Sequence, residues 1–225
     1  MKTVRKSVVV TASARAFIAR SVMKARRATW YKCCMADMSK ARLEAFSDGV
    51  MAVAITIMVL GIKAPEHANL AALRLLLEPF LTYALSFLYV GIYWNNHHHM
   101  MHLVRRVTPR LMWTNHLLLF SVTLVPLATA WVDEHLRDVV PTVVYGVSLI
   151  FPGIAFMLLA HAIAAQYDEE AREQRTLRVR KKAWLSLAGY LLGIAVAFVV
   201  PMAAMAIYLL VGMAWLIPER HLHQA

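Results

Sequence analysis

The stretch RLEAFSDGVMAVAITIMVLGIK, residues 42–63, decides the fold, because no charged residue follows Asp48 until Lys63. A helix needs about 20 mostly apolar residues to cross the ~30 Å hydrocarbon core of a bilayer. Residues 43–62 have that length and composition. They predict a membrane-spanning helix whose first turns carry polar and charged side chains.

The composition of the whole chain extends this prediction beyond the first helix. Of its 225 residues, 60% are hydrophobic and 16% are charged, whereas soluble domains have about 45–50% apolar and about 25% charged residues. Such a composition excludes a disordered chain, a collagen and a disulfide scaffold, and it argues against a large soluble enzyme. The chain is therefore expected to be an all-α membrane protein.

Four further apolar stretches follow the first one, and the last is too long for a single crossing. Its 35 residues would form a helix of about 52 Å at 1.5 Å per residue. Pro201 near its middle is expected to break it into two short spans, and Pro126 and Pro152 are expected to mark kinks or ends. The chain thus has six predicted spans, and the four later stretches are residues 75–94, 111–132, 139–165 and 183–217.

Positive charge gives these spans an orientation. Residues 1–42, 101–110, 166–182 and 218–225 contain 21 of the 24 Lys and Arg residues. Because Lys and Arg accumulate on the cytoplasmic side, both termini are expected there, in a multi-pass protein of the cell membrane. Basic residues at the ends of apolar segments do not form a nucleic-acid-binding surface, and residues 166–182 are interpreted as a solvated loop.

The chain divides by composition into three parts. Residues 1–40 form a basic arm, whose first 34 residues carry nine basic and no acidic residues. This arm resembles a transit peptide, and it also suits a cytoplasmic segment near lipid headgroups. We favour a disordered arm or translation that starts at Met35 or Met38. Residues 41–217 are the predicted six-helix domain, and residues 218–225 are a short cytoplasmic tail.

Helical geometry places a stripe on one face of the first span. At about 100° per residue, five side chains fall within a stripe roughly 100° wide: Gly49, Val53, Thr56, Ile57 and Leu60. Asp48 lies beside this stripe. Composition alone favours ordinary packing for the stripe, whereas an ionisable residue such as Asp48 inside a membrane is a functional candidate. Arg42 and Glu44 are equally compatible with ordinary interfacial charge.

The second span ends in the polar sequence WNNHHHMMH, residues 94–102. Asn95, His98 and His102 share one helix face, so we expect them to form a hydrogen-bonded network with Asp48. The alternative is a metal site, because His98 and His102 have the i, i+4 spacing that binds zinc. The network is favoured, since no cysteine is within reach, and no metal or other cofactor is predicted.

Two motifs carry a resemblance to a known family. Arg42 is followed by three residues and then by Phe46-Ser47-Asp48, and Trp94 is followed by His97 and His98. In these residues the chain resembles the transmembrane protein 175 family of potassium channels. The resemblance implies that these seven residues form a structural network. His99 departs from the family pattern, where an Arg is expected.

The resemblance also implies an architecture and a role for the stripe. Family members of the bacterial type have six helices per subunit and form a tetramer around the first helix. By position, Val53, Ile57 and Leu60 would be the pore constriction and gate, and Thr56 would be the selectivity residue. The chain has no TVGYG filter sequence and no run of Arg at every third position. The expected function is a potassium-selective channel without enzymatic activity.

Two other functions remain open from the sequence. A proton- or metal-coupled transporter could use Asp48 and the histidine cluster at residues 97–102, and zinc-dependent uptake into vesicles would favour it. A membrane enzyme or haem protein could use His98 and His161 as axial ligands, and a coloured preparation would favour it.

Overall fold

The computed structural model describes residue 17 and residues 38–65 and 67–216, without the side chains of residues 170–181. The described residues contain helices and no strands. Eight helices follow one another: α1 (Lys40–Leu60), α2 (Leu70–Leu75), α3 (Leu77–His102), α4 (Pro109–Thr123), α5 (Val125–Glu134), α6 (Val139–Ala164), α7 (Glu169–Ala197) and α8 (Pro201–Leu216). The contacts divide the chain into Met1–Ser39 and Lys40–Ala225, and these helices belong to the second unit. The predicted arm, apart from residues 17 and 38–40, and the predicted tail lie outside the described residues, so their boundaries stay predictions.

These helices account for the six predicted spans. Four helical segments are long and apolar enough to cross a membrane: Lys40–Leu60, Leu70–His102, Pro109–Glu134 and Val139–Ala164. Two shorter apolar helices follow them, Lys182–Ala197 and Pro201–Leu216. The prediction of an all-α membrane protein with six spanning helices is therefore confirmed.

Prolines set the interruptions between successive helices. Proline lacks an N–H and its ring clashes with the carbonyl four residues earlier. This explains the breaks before Pro79, at Leu76, and before Pro126, at Leu124. Pro201 begins α8, three residues after α7 ends at its cap residue Phe198, as predicted. Pro152 instead lies inside the continuous α6.

The charged segment before the fifth span is helical, so the predicted loop over residues 166–182 is wrong. Helix α7 begins at Glu169 and continues without interruption to Ala197. Residues 169–182 contain neither Gly nor Pro and consist mainly of Glu, Arg, Lys, Gln, Ala and Leu, which are strong helix formers. Polarity alone suggested a loop, whereas intrinsic helix propensity decides the conformation.

Helix α1 packs one face against α3, α4 and α5. The buried side chains of that face recur every three or four residues, the helical repeat: Leu43, Ser47, Met51, Ala54 and Met58. The four apolar ones join one hydrophobic cluster with α3, α4, α5 and α6, while a second cluster joins α3, α5, α6, α7 and α8. The apolar stripe predicted on α1 is left on the opposite side of the helix.

Candidate functional site

The first turns of α1 meet the end of α3 and the start of α4 through three sets of polar contacts. They involve the Phe46-Ser47-Asp48 segment, its neighbour Glu44 and the polar end of α3. An unpaired polar group inside a membrane costs several kcal/mol. Each contact therefore fixes how α1 sits against its neighbours.

The innermost contact set is a fully buried chain of Ser47, Asn115 and His97. The Ser47 hydroxyl donates to the carbonyl oxygen of Leu43 over 2.8 Å, so its oxygen accepts from Asn115 Nδ2 over 2.9 Å. The amide oxygen of Asn115 then faces His97 Nε2, 2.8 Å away. Because that oxygen can only accept, Nε2–H of His97 is the donor. The side-chain amide of Asn115, on α4, thus bonds to both α1 and α3.

The second contact joins Asp48 to Trp94. The indole Nε1–H of Trp94 donates to Asp48 Oδ1 over 2.9 Å. Trp94 is 47% exposed, and Asp48 is half-buried. The indole ring of Trp94 also stacks on the imidazole ring of His98, with the ring centroids 6.4 Å apart. This contact lies at the exposed edge of the interface between α1 and α3.

The third contact set joins Glu44, His98 and His102. His98 Nδ1 donates to Glu44 Oε1 over 3.0 Å, and a hydrogen bond of 3.1 Å links Nε2 of His98 to Nε2 of His102. The two imidazole rings meet edge to face, 4.6 Å between centroids. Since Trp94 binds Asp48, the carboxylate that reaches the histidines is Glu44, one helical turn earlier.

Other polar and aromatic residues at this end of the subunit are exposed. Phe46 lies with its ring centroid 5.9 Å from that of His116, and His116 itself bonds the carbonyl of Met112. Arg42, Asn95 and His99 are exposed. The exposed side of α1 therefore begins at its first turn.

The predicted stripe occupies the same exposed side. Val53, Ile57 and Leu60 are 54%, 52% and 80% exposed, and Thr56 and Gly49 are exposed as well. The Thr56 hydroxyl donates to the carbonyl oxygen of Val53 over 3.0 Å. No side chain of the described subunit covers this stripe, although its residues are mostly apolar.

The same geometry bears on the alternatives left open by the sequence. Among the described residues, no group of three or more His, Cys, Asp or Glu side chains could hold a metal ion. The hydrogen bond of Asp48 goes to Trp94, and the His161 ring bonds the carbonyl of Met157 in its own helix. In the described part of the chain, no continuous hydrogen-bonded path runs from Asp48 through the histidines, as a proton relay would need.

Sequence reasoning missed Asn115 and the role of Glu44. Asn115 stands among apolar residues in its span, and an amide at such a position needs a partner. That signal was available, although it does not identify the partner. Glu44 and His98 lie 54 positions apart, so only the packing of α1 on α3 brings them together.

The fold and these contacts define a multi-pass helical membrane protein whose first helix is anchored on one side and uncovered on the other. A family model described as the endosomal/lysosomal potassium channel TMEM175 matches residues 42–126. A potassium channel of a Chryseobacterium species is 42% identical over 84% of this chain and 98% of the relative. The chain therefore belongs to the TMEM175 family, which is a family of channels and not of enzymes.

Other relatives span bacteria and animals. The crystal structure of a lysosomal potassium-selective channel TMEM175 homologue from Chamaesiphon minutus superimposes with a TM-score of 0.69 and 30% identity, over 79% of this chain and 96% of that chain. The human relative, named an endosomal/lysosomal proton channel, is 32% identical over 59% of this chain, which spans only 29% of that protein. The resemblance inferred from the two motifs is confirmed.

Proposed function

We propose that the protein is a potassium-selective channel of the cell membrane, in which four subunits surround a pore lined by the exposed face of α1. One observation carries this proposal. Helix α1 is bonded to its own subunit through polar contacts on one side, whereas Val53, Thr56, Ile57 and Leu60 on its other side are exposed. The potassium channels among its relatives support the choice of ion.

The constriction in this proposal is made of Val53, Ile57 and Leu60. These side chains lie about one turn apart along the same face, so four copies would form successive apolar rings. A hydrophobic ring can close a pore by dewetting, and an ion that crosses it loses part of its water. Gating would then need only a small change in the radius of the rings.

Thr56 is the selectivity residue in this proposal. A hydroxyl has one donor and two acceptor lone pairs. Since the Thr56 proton is used by the carbonyl of Val53, its oxygen lone pairs stay free for a cation. Four such oxygens could replace some of the lost water, and potassium gives up its water more readily than sodium.

The motif residues have an anchoring role in this proposal. Arg42, Phe46, Ser47 and Asp48 begin the pore helix, and Trp94, His97 and His98 end the neighbouring α3. The bonds Ser47–Asn115–His97 and Asp48–Trp94 hold α1 at one rotation about its axis. The stripe would then face the common axis in every subunit.

A flux assay on reconstituted protein tests the proposal. Vesicles loaded with potassium and diluted into sodium become negative inside when potassium leaves, and a protonophore with a pH-sensitive dye reports that potential. We expect Ile57→Ala and Ile57→Asn to raise the flux several-fold and to weaken the discrimination against sodium. Val59→Ala is the matched control, because Val59 is 44% exposed but lies outside the stripe.

Two outcomes would contradict the pore assignment. Unchanged flux in both Ile57 variants would remove Ile57 from the pore, and an equal response of Val59→Ala would mean that the stripe has no special place. The stoichiometry is tested separately by the mass of the purified complex. A complex with any number of subunits other than four would contradict the tetramer. The channel proposal would then depend on the flux assay alone.

A further inference from the structure

An apolar cleft that no residue of α1 lines lies between α3, α6, α7 and α8. The cleft opens to the outside, and its empty space is about 740 Å³ when the open solvent at its mouth is included. Its walls are almost wholly apolar, and they include Ile92, Tyr93, Ile154, Met157, Trp184 and Leu187. Gly153 leaves one wall open, because it has no side chain.

The cleft lies in the half of the bundle next to the basic segments. On α3 it runs from Tyr89 to Asn96, towards the helix end at His102. On α7 it runs from Ala183 to Tyr190, directly after the charged part of that helix, and on α8 it includes Trp215, near the last described residue. In the membrane orientation predicted from the positive charges, the cleft would extend from the middle of the membrane to the headgroup level on the basic side.

The mouth of the cleft carries groups that suit a lipid headgroup. Trp215 Nε1–H donates to Ser186 Oγ over 2.7 Å, and Lys182 Nζ lies 4.7 Å from the centroid of the Trp215 ring. Trp and Lys are enriched at this level because each has an apolar body and a polar tip. Residues 172–182 contain six basic residues and one acidic residue, and such a segment attracts anionic lipids.

We propose that this cleft binds an acyl chain of an anionic phospholipid, with the lipid phosphate beside Lys182. The apolar walls favour a hydrocarbon chain, and the cation at the mouth selects the sign of the headgroup. A neutral lipid or a second copy of this chain would match the apolar walls, but neither would match the cation at the mouth. The proposal is independent of the pore assignment.

Native mass spectrometry of the delipidated protein, titrated with phosphatidylglycerol or phosphatidylcholine of the same chains, tests the proposal. We expect phosphatidylglycerol to bind at least tenfold more tightly. Gly153→Leu should weaken that binding about tenfold, because a Cβ at this position meets only Tyr93 Oη at 3.4 Å and the rest of the side chain enters the cleft. Gly91→Leu is the matched control. Gly91 does not line the cleft, and a Cβ added there meets nothing within 4 Å.

The charge at the mouth is tested in the same titration. Lys182→Gln should weaken phosphatidylglycerol binding about fivefold and leave phosphatidylcholine binding unchanged. Lys63→Gln, at the opposite end of the bundle and 88% exposed, should change neither. Equal binding of the two lipids would overturn the anionic preference.

A measurement on the unaltered protein keeps the proposal testable if Gly153→Leu fails to fold. Phosphatidylglycerol with bromine atoms on its acyl chains should quench part of the tryptophan fluorescence saturably, and unlabelled lipid should reverse the quenching. Trp184→Phe should reduce that saturable part, and the remainder is expected from Trp215, which also lines the cleft. Quenching that never saturates, or a cross-link from the cleft to a second copy of the chain, would overturn the proposed site.

Discussion

The two faces of α1 have opposite environments although they share one helix. The buried face carries Leu43, Ser47 and Met51, each 1% exposed or less. The opposite face carries Val53 and Ile57, each more than half exposed. Both faces are mostly apolar, so hydrophobicity does not separate them. The difference separates the residues that stabilise the subunit from those that would line the proposed pore, although both sets lie on the same helix.

The largest expected effect is on the buried face. Met51→Ala should lower the free energy of unfolding by about 2–5 kcal/mol, because it leaves a cavity in a packed core. Ile57→Ala, six residues away on the exposed face, should lower it by less than about 0.5 kcal/mol. Denaturant unfolding of the two variants in detergent measures both values. Equal losses would contradict the division of α1 into two faces.

A smaller loss is expected at the amide that joins three helices. Asn115→Leu leaves Nε2–H of the buried His97 without its acceptor, which should cost about 1–3 kcal/mol. Ser47→Ala in the same protein should reduce that cost, since the two residues share one hydrogen-bonded chain. A double-mutant cycle measures the coupling. Strictly additive losses would show that Ser47 and Asn115 act separately.

The contact between Asp48 and Trp94 should contribute less, because Trp94 is half exposed. Asp48→Ala should lower the free energy of unfolding by about 1 kcal/mol and lower the yield of assembled complex. Asp48→Asn retains an acceptor oxygen for the indole N–H and should retain most of the yield. Size-exclusion chromatography of both variants gives the comparison. A normal yield and normal flux for Asp48→Ala would reject an anchoring role.

The smallest expected effect on stability is at Thr56. Thr56→Val keeps the shape of the side chain and should change the free energy of unfolding by less than about 0.5 kcal/mol. The discrimination between potassium and sodium should nevertheless fall, because the hydroxyl oxygen is lost. Thr123→Val, an exposed threonine on α4 that bonds its own helix in the same way, is the control. An equal fall in both variants would remove Thr56 from the selectivity site.

Most of the fold could be predicted from the sequence, because bilayer thickness fixes the length of each apolar segment. The six spans and the break at Pro201 follow from that constraint. The interruption at Leu76 also has a signal in the sequence, which is Pro79. The helical start of α7 was missed because its charged residues were interpreted as a solvated loop, although each of them favours a helix.

The candidate site could be predicted only as a set of residues. Spacing shows that Ser47 and Asp48 lie on different sides of α1, and that Trp94 and His98 lie on one side of α3. It does not show which carboxylate meets which donor, because that depends on how α1 rotates against α3. The pairing of Glu44 with His98, and of Asp48 with Trp94, is set by this rotation.

The break at Pro201 has a consequence for the membrane around the protein. The apolar segments Lys182–Ala197 and Pro201–Leu216 have 16 residues each, so each spans about 24 Å at 1.5 Å per residue. That is shorter than the ~30 Å hydrocarbon core, whereas α6, with 26 residues, is longer. A bilayer adapts to short helices by thinning locally. The lipid next to α7 and α8 is therefore expected to be thinner than the lipid elsewhere, so that chain length of the surrounding lipids becomes a variable that acts on one side of each subunit.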